Sequence, residues 1–81
     1  MKVRVKLFAV AKELAGCDEL SAEVPARATI RDLRSAVMEA APQLARVAPH
    51  AMWAVGAEYA TDETLITEQS EVALIPPVSG G

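Results

Sequence analysis

The chain has 81 residues, a formal net charge of −3, one cysteine and one histidine. This length leaves room for a single domain, because domains usually span about 100–200 residues. One cysteine excludes a disulfide framework or a cysteine-rich metal site, and one histidine excludes a multi-histidine metal site. No long apolar run or signal peptide is visible, so we expect a small cytoplasmic domain without a metal centre.

The charges are unevenly distributed along the chain. All eight lysines and arginines lie within residues 1–46, whereas residues 47–81 carry five acidic residues and no basic ones. A negatively charged C-terminal half is repelled by nucleic acids and anionic membranes, and it attracts a partner with a basic surface. The sequence therefore predicts a protein partner and argues against binding to nucleic acid or membrane.

The N-terminal part of the chain begins with a strand. In residues 2–8 basic and apolar residues alternate, which predicts a half-buried strand and places Phe8 on its polar face. Residues 10–16 have the pattern of a short helix closed by glycine, and residues 20–24 alternate again as a second strand. Because the two strands are close in sequence, we expect an antiparallel pair.

The clearest predicted element is a helix that begins after Thr29. Thr29 has a side chain suited to an N-cap, and Asp32 stands three residues later as the second member of a capping box. Apolar residues from Ile30 to Ala41 recur at helical spacing, which predicts one buried face. Pro42 ends this helix, because proline cannot continue the backbone hydrogen bonds.

The C-terminal half of the domain is strand-like. Residues 52–55 and 57–59 are short apolar segments separated by a glycine, and residues 71–75 form a clear final strand. We interpret Met52 and Trp53, which open the first of these segments, as core residues. The order of elements predicts an α+β roll in which a mixed sheet packs on one main helix.

The last six residues, Pro76-Pro77-Val78-Ser79-Gly80-Gly81, are the most informative part of the sequence. Two consecutive prolines favour a stiff, extended exit, and six residues at about 3.3 Å each can project roughly 20 Å. Gly80 and Gly81 have no Cβ atom, so the terminal carboxylate can enter a channel too narrow for a side chain. We predict a domain over residues 1–75 and a flexible C-terminal tail over residues 76–81.

This tail and this order of elements resemble the small sulfur-carrier proteins of the ubiquitin-like β-grasp group, in particular the family of molybdopterin synthase small subunits. The resemblance covers essentially the whole chain. The matching segments are Leu7-Phe8-Ala9, Lys12-Glu13-Leu14-Ala15-Gly16, Ala28-Thr29-Ile30-Arg31-Asp32-Leu33 and Glu71-Val72-Ala73-Leu74-Ile75 with the six tail residues. The chain departs from the family pattern in two turns: Gly56 replaces the usual Asn, and Gln69-Ser70 replaces a Gly-Asp pair. The resemblance implies a β-grasp fold.

The resemblance also implies a sulfur carrier in molybdenum cofactor biosynthesis, a subunit that donates sulfur and is active only with its large subunit. In this family an adenylyltransferase similar to ubiquitin-activating enzymes uses ATP to adenylate the last glycine, and a persulfide donor converts the adenylate to a thiocarboxylate. The tail then donates its sulfur to cyclic pyranopterin monophosphate in the large-subunit active site. Gly81 would carry the sulfur, Gly80 would give the tail access, and the chain would hold no permanent cofactor. The synthase would contain two small and two large subunits.

Two other functions stay open at this stage. The same group contains the sulfur carrier for thiamine-thiazole synthesis, although those chains tend to be shorter and lack the Pro-Pro-Val-Ser approach. A chain that ends in Gly-Gly is also typical of a ubiquitin-like modifier, which would join Gly81 to lysines of target proteins.

A docking surface around the base of the tail is a further hypothesis. By strand parity Phe8 and Ile75 face away from the core, and with Tyr59 they would form an apolar patch for the partner. The remaining predicted partner-binding residues belong to the tail and are Pro76, Pro77, Val78 and Ser79.

Overall fold

A computed structural model describes residues 1–77 of the chain. The elements of this described part, in chain order, are β1 Lys2–Leu7, α1 Ala9–Ala15, β2 Glu19–Glu23, α2 Ile30–Ala40, β3 Met52–Val55, β4 Glu58–Tyr59 and β5 Val72–Ile75. Short 3-10 turns at Pro42–Leu44 and Ala48–His50 connect α2 to β3. The predicted strands and helices are therefore present close to their predicted positions.

The described strands form one mixed sheet in the order β2-β1-β5-β3-β4. β1 pairs antiparallel with β2, as predicted, and parallel with β5, while β3 pairs antiparallel with both β5 and β4. The first and last strands of the chain are thus neighbours within the sheet. Because they run in the same direction, β1 and β5 end at the same edge, where Leu7 lies opposite Leu74.

One hydrophobic core lies between the sheet and the helices. β1 has an alternating burial pattern with its apolar side chains inside, and α2 contributes Ile30, Leu33 and Val37 to the same cluster. This arrangement confirms the predicted mixed sheet packed on one main helix. Among the helices within residues 1–77, none has the length and hydropathy that a membrane crossing requires.

The start of α2 is the capping box predicted from the sequence. The Thr29 hydroxyl accepts a hydrogen bond from the Asp32 backbone N–H at 3.4 Å, and the Asp32 carboxylate accepts one from the Thr29 backbone N–H at 3.0 Å. These reciprocal bonds satisfy N–H groups that otherwise have no partner at a helix start. Ala41 follows as the C-cap, and Pro42 opens a 3-10 turn, so the helix ends where expected.

The loop after β4 supplies hydrogen-bond acceptors to the N-terminal part of α2. Asp62 accepts a hydrogen bond of 2.8 Å from Arg34, and Arg31 donates one of 3.0 Å to Glu63. The backbone carbonyls of Asp62 and Thr64 also accept from the first N–H groups of α2. The loop therefore has a structural role, because it satisfies both charges and backbone groups at the helix start.

The two departures from the family pattern both lie in ordered turns. Gly56 connects β3 to β4 with a φ of +64°, in the left-handed region that glycine and asparagine adopt more readily than other residues. Either residue therefore suits this turn. In the second turn, Ser70 accepts a hydrogen bond of 2.8 Å from the Thr67 backbone N–H and returns one of 3.1 Å to the Thr67 carbonyl.

Candidate functional site

The base of the C-terminal tail lies where β5 leaves the sheet. Ile75 ends β5 and is partly buried, Pro76 is buried, and Pro77 is exposed. The chain therefore stays packed against the domain through Pro76, and Pro77 is the first exposed residue after β5. The remaining predicted tail residues, Val78, Ser79, Gly80 and Gly81, lie outside the described residues, so the boundary after residue 75 stays a prediction.

Phe8 and Ile75 lie at the C-terminal ends of two neighbouring strands, β1 and β5, and on the same face of the sheet. Phe8 directly follows the position where Leu7 pairs with Leu74, and 46% of its surface is exposed. Ile75 alternates with the buried Leu74 and therefore faces the same outer side. The structure thus brings these two predicted docking residues together beside the tail base.

Tyr59 lies on the same face of the sheet but farther from the tail base. It pairs with Ala54 of β3, which in turn pairs with Ala73 of β5. Two strand spacings of about 4.8 Å each therefore separate Tyr59 from β5. Because its side chain is 69% exposed, Tyr59 extends the apolar surface across the sheet instead of lying next to Phe8.

Met52 belongs to this outer surface, and the prediction that it is a core residue was wrong. Its side chain is 51% exposed, whereas Trp53 is buried as expected. Met52 pairs with Ile75, so the two share one face. The signal was present in the sequence, because strand side chains alternate and a buried Trp53 directs Met52 outward. What we call the apolar patch consists of Phe8, Met52, Tyr59 and Ile75, with Ala54 and Ala73 between them.

The other half of the outer face is charged. β1 presents Lys2, Arg4 and Lys6, and its pairing with β2 places Lys2 opposite Glu23 and Lys6 opposite Glu19. Opposite charges at paired positions attract each other across the strands. The apolar patch therefore borders the charged strands β1 and β2 on one side. On another side it borders the tail base, where Pro76 follows β5. Its aromatic and aliphatic side chains are of the type that is enriched in protein interfaces.

Together, the fold and the outer face define a ubiquitin-like β-grasp protein. Its C-terminal segment leaves the sheet next to an apolar surface. Residues 5–81 match the ThiS family, and the chain belongs to this family. The molybdopterin synthase sulfur carrier subunit of Arabidopsis thaliana is 33% identical over 81 residues, which cover 100% of this chain and 84% of the relative. The subunit with the same name from Chlamydomonas reinhardtii is 35% identical over 83 residues, with 100% of both chains covered.

Solved structures confirm the predicted β-grasp fold. SAMP1 from Haloferax volcanii is 32% identical and matches with a TM-score of 0.87, covering 100% of both chains. A chain in the complex of subunits 1 and 2 of the molybdopterin-converting factor from Helicobacter pylori has a TM-score of 0.68. The match covers 100% of both chains at 18% sequence identity, so this likeness shows a shared fold alone.

Proposed function

We propose that this chain is the sulfur-carrier subunit of a cytoplasmic molybdopterin synthase. One observation carries the proposal: a tail of the sequence Pro-Pro-Val-Ser-Gly-Gly follows a strand that ends beside an exposed apolar patch. The full-length similarity to two molybdopterin synthase sulfur carrier subunits supports it.

Gly81 is the reacting residue in this proposal. An α-carboxylate is ionised at neutral pH and is therefore a poor electrophile. An adenylyltransferase would use ATP to convert it to an acyl adenylate, and the outer sulfur of a persulfide donor would displace AMP to form an acyl disulfide. A second thiol would then reduce the S–S bond, which leaves the thiocarboxylate on Gly81 and a disulfide on the donor. The thiocarboxylate would then give its sulfur to cyclic pyranopterin monophosphate inside the large subunit. The chain itself would hold no permanent cofactor.

The apolar patch is the docking surface for the large subunit in this proposal. Exposed aromatic and aliphatic side chains such as Phe8, Met52 and Tyr59 are the type that supplies much of the binding energy at protein interfaces. They lie on the face that borders the tail base, so a partner that covers them is placed to receive the tail. The Helicobacter pylori complex of subunits 1 and 2 supports a partner of this kind, and we propose two small and two large subunits per synthase.

A ubiquitin-like protein modifier is the second candidate function. A further structure from Haloferax volcanii, described as small archaeal modifier protein 1, is 30% identical with a TM-score of 0.85 and covers 95% of this chain and 98% of that one. This likeness favours a chain in which Gly81 is joined to lysines of other proteins. Both candidate functions require an adenylated Gly81. A sulfur carrier then passes sulfur from Gly81 to a small molecule, whereas a modifier joins the carbonyl carbon of Gly81 to a lysine amine.

Intact-mass spectrometry of the full chain tests the proposal. After incubation with its adenylyltransferase, ATP, a persulfide donor and a thiol reductant, the chain should gain the mass difference between one sulfur and one oxygen atom. Mixing it with the large subunit and cyclic pyranopterin monophosphate should then remove that gain and yield the dithiolene product. A chain that lacks Gly80 and Gly81 is the control and should do neither.

Two results would contradict the sulfur-carrier function. Isopeptide-linked Gly81 on other proteins without sulfur transfer would identify a modifier. Full synthase activity with the chain that lacks Gly80 and Gly81 would show that the tail carries no sulfur.

A further inference from the structure

Two exposed apolar side chains of α1 lie outside the apolar patch. Val10 and Leu14 are 41% and 40% exposed, and their four-residue spacing places them on one side of the helix, which we call the α1 flank. The core does not account for them, because Ala11 and Ala15 provide the contacts of α1 with the core. The α1 flank is therefore an apolar surface that the fold of the domain leaves unexplained.

The α1 flank faces away from β2. Each residue of a helix is rotated by about 100° from the one before, so Lys12 and Leu14 lie on opposite sides of the core-facing Ala11. Lys12 lines a surface depression together with residues 18–19 at the start of β2. Since the Lys12 side is next to β2, the side with Leu14 is turned away from β2. As a whole, α1 contacts the 3-10 turn at Pro42–Leu44 and β5.

The tail base lies at the end of the sheet where the apolar patch and α1 also lie. β1 and β5 end at the same edge of the sheet, and α1 begins two residues after Leu7, at that same edge. The apolar patch is on the outer face of the sheet, whereas α1 packs on the inner side through Ala11. Pro76 follows β5 directly at this end of the sheet and is buried.

The backbone conformation of Ala9 separates the apolar patch from the α1 flank. Ala9 has a φ of +52°, in the left-handed region that is unfavourable for residues other than glycine. It turns the chain from β1 into α1, so Phe8 stays on the outer face while Val10 starts the α1 flank. Strained backbone of this kind is often retained at binding sites.

We propose that the α1 flank is a second contact surface for the large subunit of molybdopterin synthase, which thereby encloses the tail base from both sides. The proposal rests on the proposed function above. A channel that admits only a Gly-Gly end has walls on all sides, and five residues can reach at most about 17 Å from Pro77 to Gly81. The rim of the channel therefore lies close to Pro77. A rim in contact with the apolar patch alone would leave the channel open on the side of α1.

Affinity measurements with the full-length chain test this proposal. The double variant Val10→Ala, Leu14→Ala should raise the Kd for the large subunit by roughly fivefold or more, because both side chains would be buried in the interface. The matched control is Leu65→Ala. Leu65 is 61% exposed and lines a depression with Met1, at the end of the sheet where β1 begins, so its truncation should leave the Kd unchanged.

The outcomes separate this inference from the proposed function. If the unaltered chain does not bind the large subunit, the proposed function fails and the α1 flank proposal with it. If the unaltered chain binds and the double variant binds equally well, only the α1 flank proposal is overturned. If the double variant keeps its affinity for the large subunit but is adenylated more slowly, the flank belongs to the activating enzyme, which also overturns the proposal.

Discussion

Leu7 and Leu74 lie opposite each other in parallel register at the point where β1 and β5 end, and 2% and 0% of their surfaces are exposed. This buried pair holds the C-terminal ends of the first and last strands side by side. One step beyond it, Phe8 faces the outer surface and β5 gives way to the tail base. The position of the tail relative to the apolar patch therefore depends on this pair.

Leu74→Ala should lower the free energy of unfolding by about 2–5 kcal/mol, because it leaves a cavity in a fully buried position. Urea unfolding followed by the fluorescence of Trp53, the single tryptophan and a buried one, measures the loss. Leu65→Ala removes the same atoms from an exposed position and should change the stability by less than about 0.5 kcal/mol. Equal losses in the two variants would contradict the described packing.

Phe8→Ala and Ile75→Ala should each raise the Kd for the large subunit about tenfold, because each removes a large side chain from the apolar patch. Ser21→Ala is the matched control, since Ser21 lies on the same face in the charged half. Isothermal titration calorimetry with each variant measures the effect. Unchanged affinity in both patch variants would show that the large subunit binds elsewhere.

Pro76→Ala and Pro77→Ala should differ in their effect on stability. Pro76 is buried and Pro77 is exposed, so only the first substitution removes buried methylene groups, worth about 0.8 kcal/mol each. Both variants gain similar freedom in the unfolded chain. We therefore expect Pro76→Ala to have the lower free energy of unfolding, as measured by urea denaturation. The reverse order would show that the tail separates from the domain before residue 76.

Thr29→Ala should lower the free energy of unfolding by about 1 kcal/mol, because it removes the hydroxyl of the capping box. For a domain of this size such a loss lowers Tm by about 4–8 °C, which thermal unfolding measures. Thr29→Ser keeps the hydroxyl and should stay close to the unaltered chain. A Tm for Thr29→Ser as low as that for Thr29→Ala would assign the effect to the lost methyl group instead.

The helices and strands could be predicted from the sequence because each of them depends on residues close to it in the chain. α2 follows from Thr29, Asp32 and the spacing of its apolar residues, and Gly16 ends α1 in the left-handed conformation that glycine favours. The alternation of basic and apolar residues in β1 predicted that Phe8 faces outward, and Phe8 is exposed on the outer face in the structure. These features depend on neighbours a few residues apart, so the sequence contains all the information needed.

The missed features depend on contacts between distant parts of the chain. Nothing near β1 indicates that its second neighbour is β5, because parallel pairing of the two ends is decided by the whole fold. The contacts of Asp62 with Arg31 and Arg34 join segments far apart in the sequence for the same reason. Met52 is different, since strict application of strand alternation from Trp53 would have placed it outside.

The position of β5 within the sheet also matters for how the protein is made. β5 follows the other four strands in the chain, yet it lies between β1 and β3, so the sheet cannot close until β5 has been synthesised. A chain whose translation stops before β5 would expose the core residues of β1 and α2 and would be open to proteolysis.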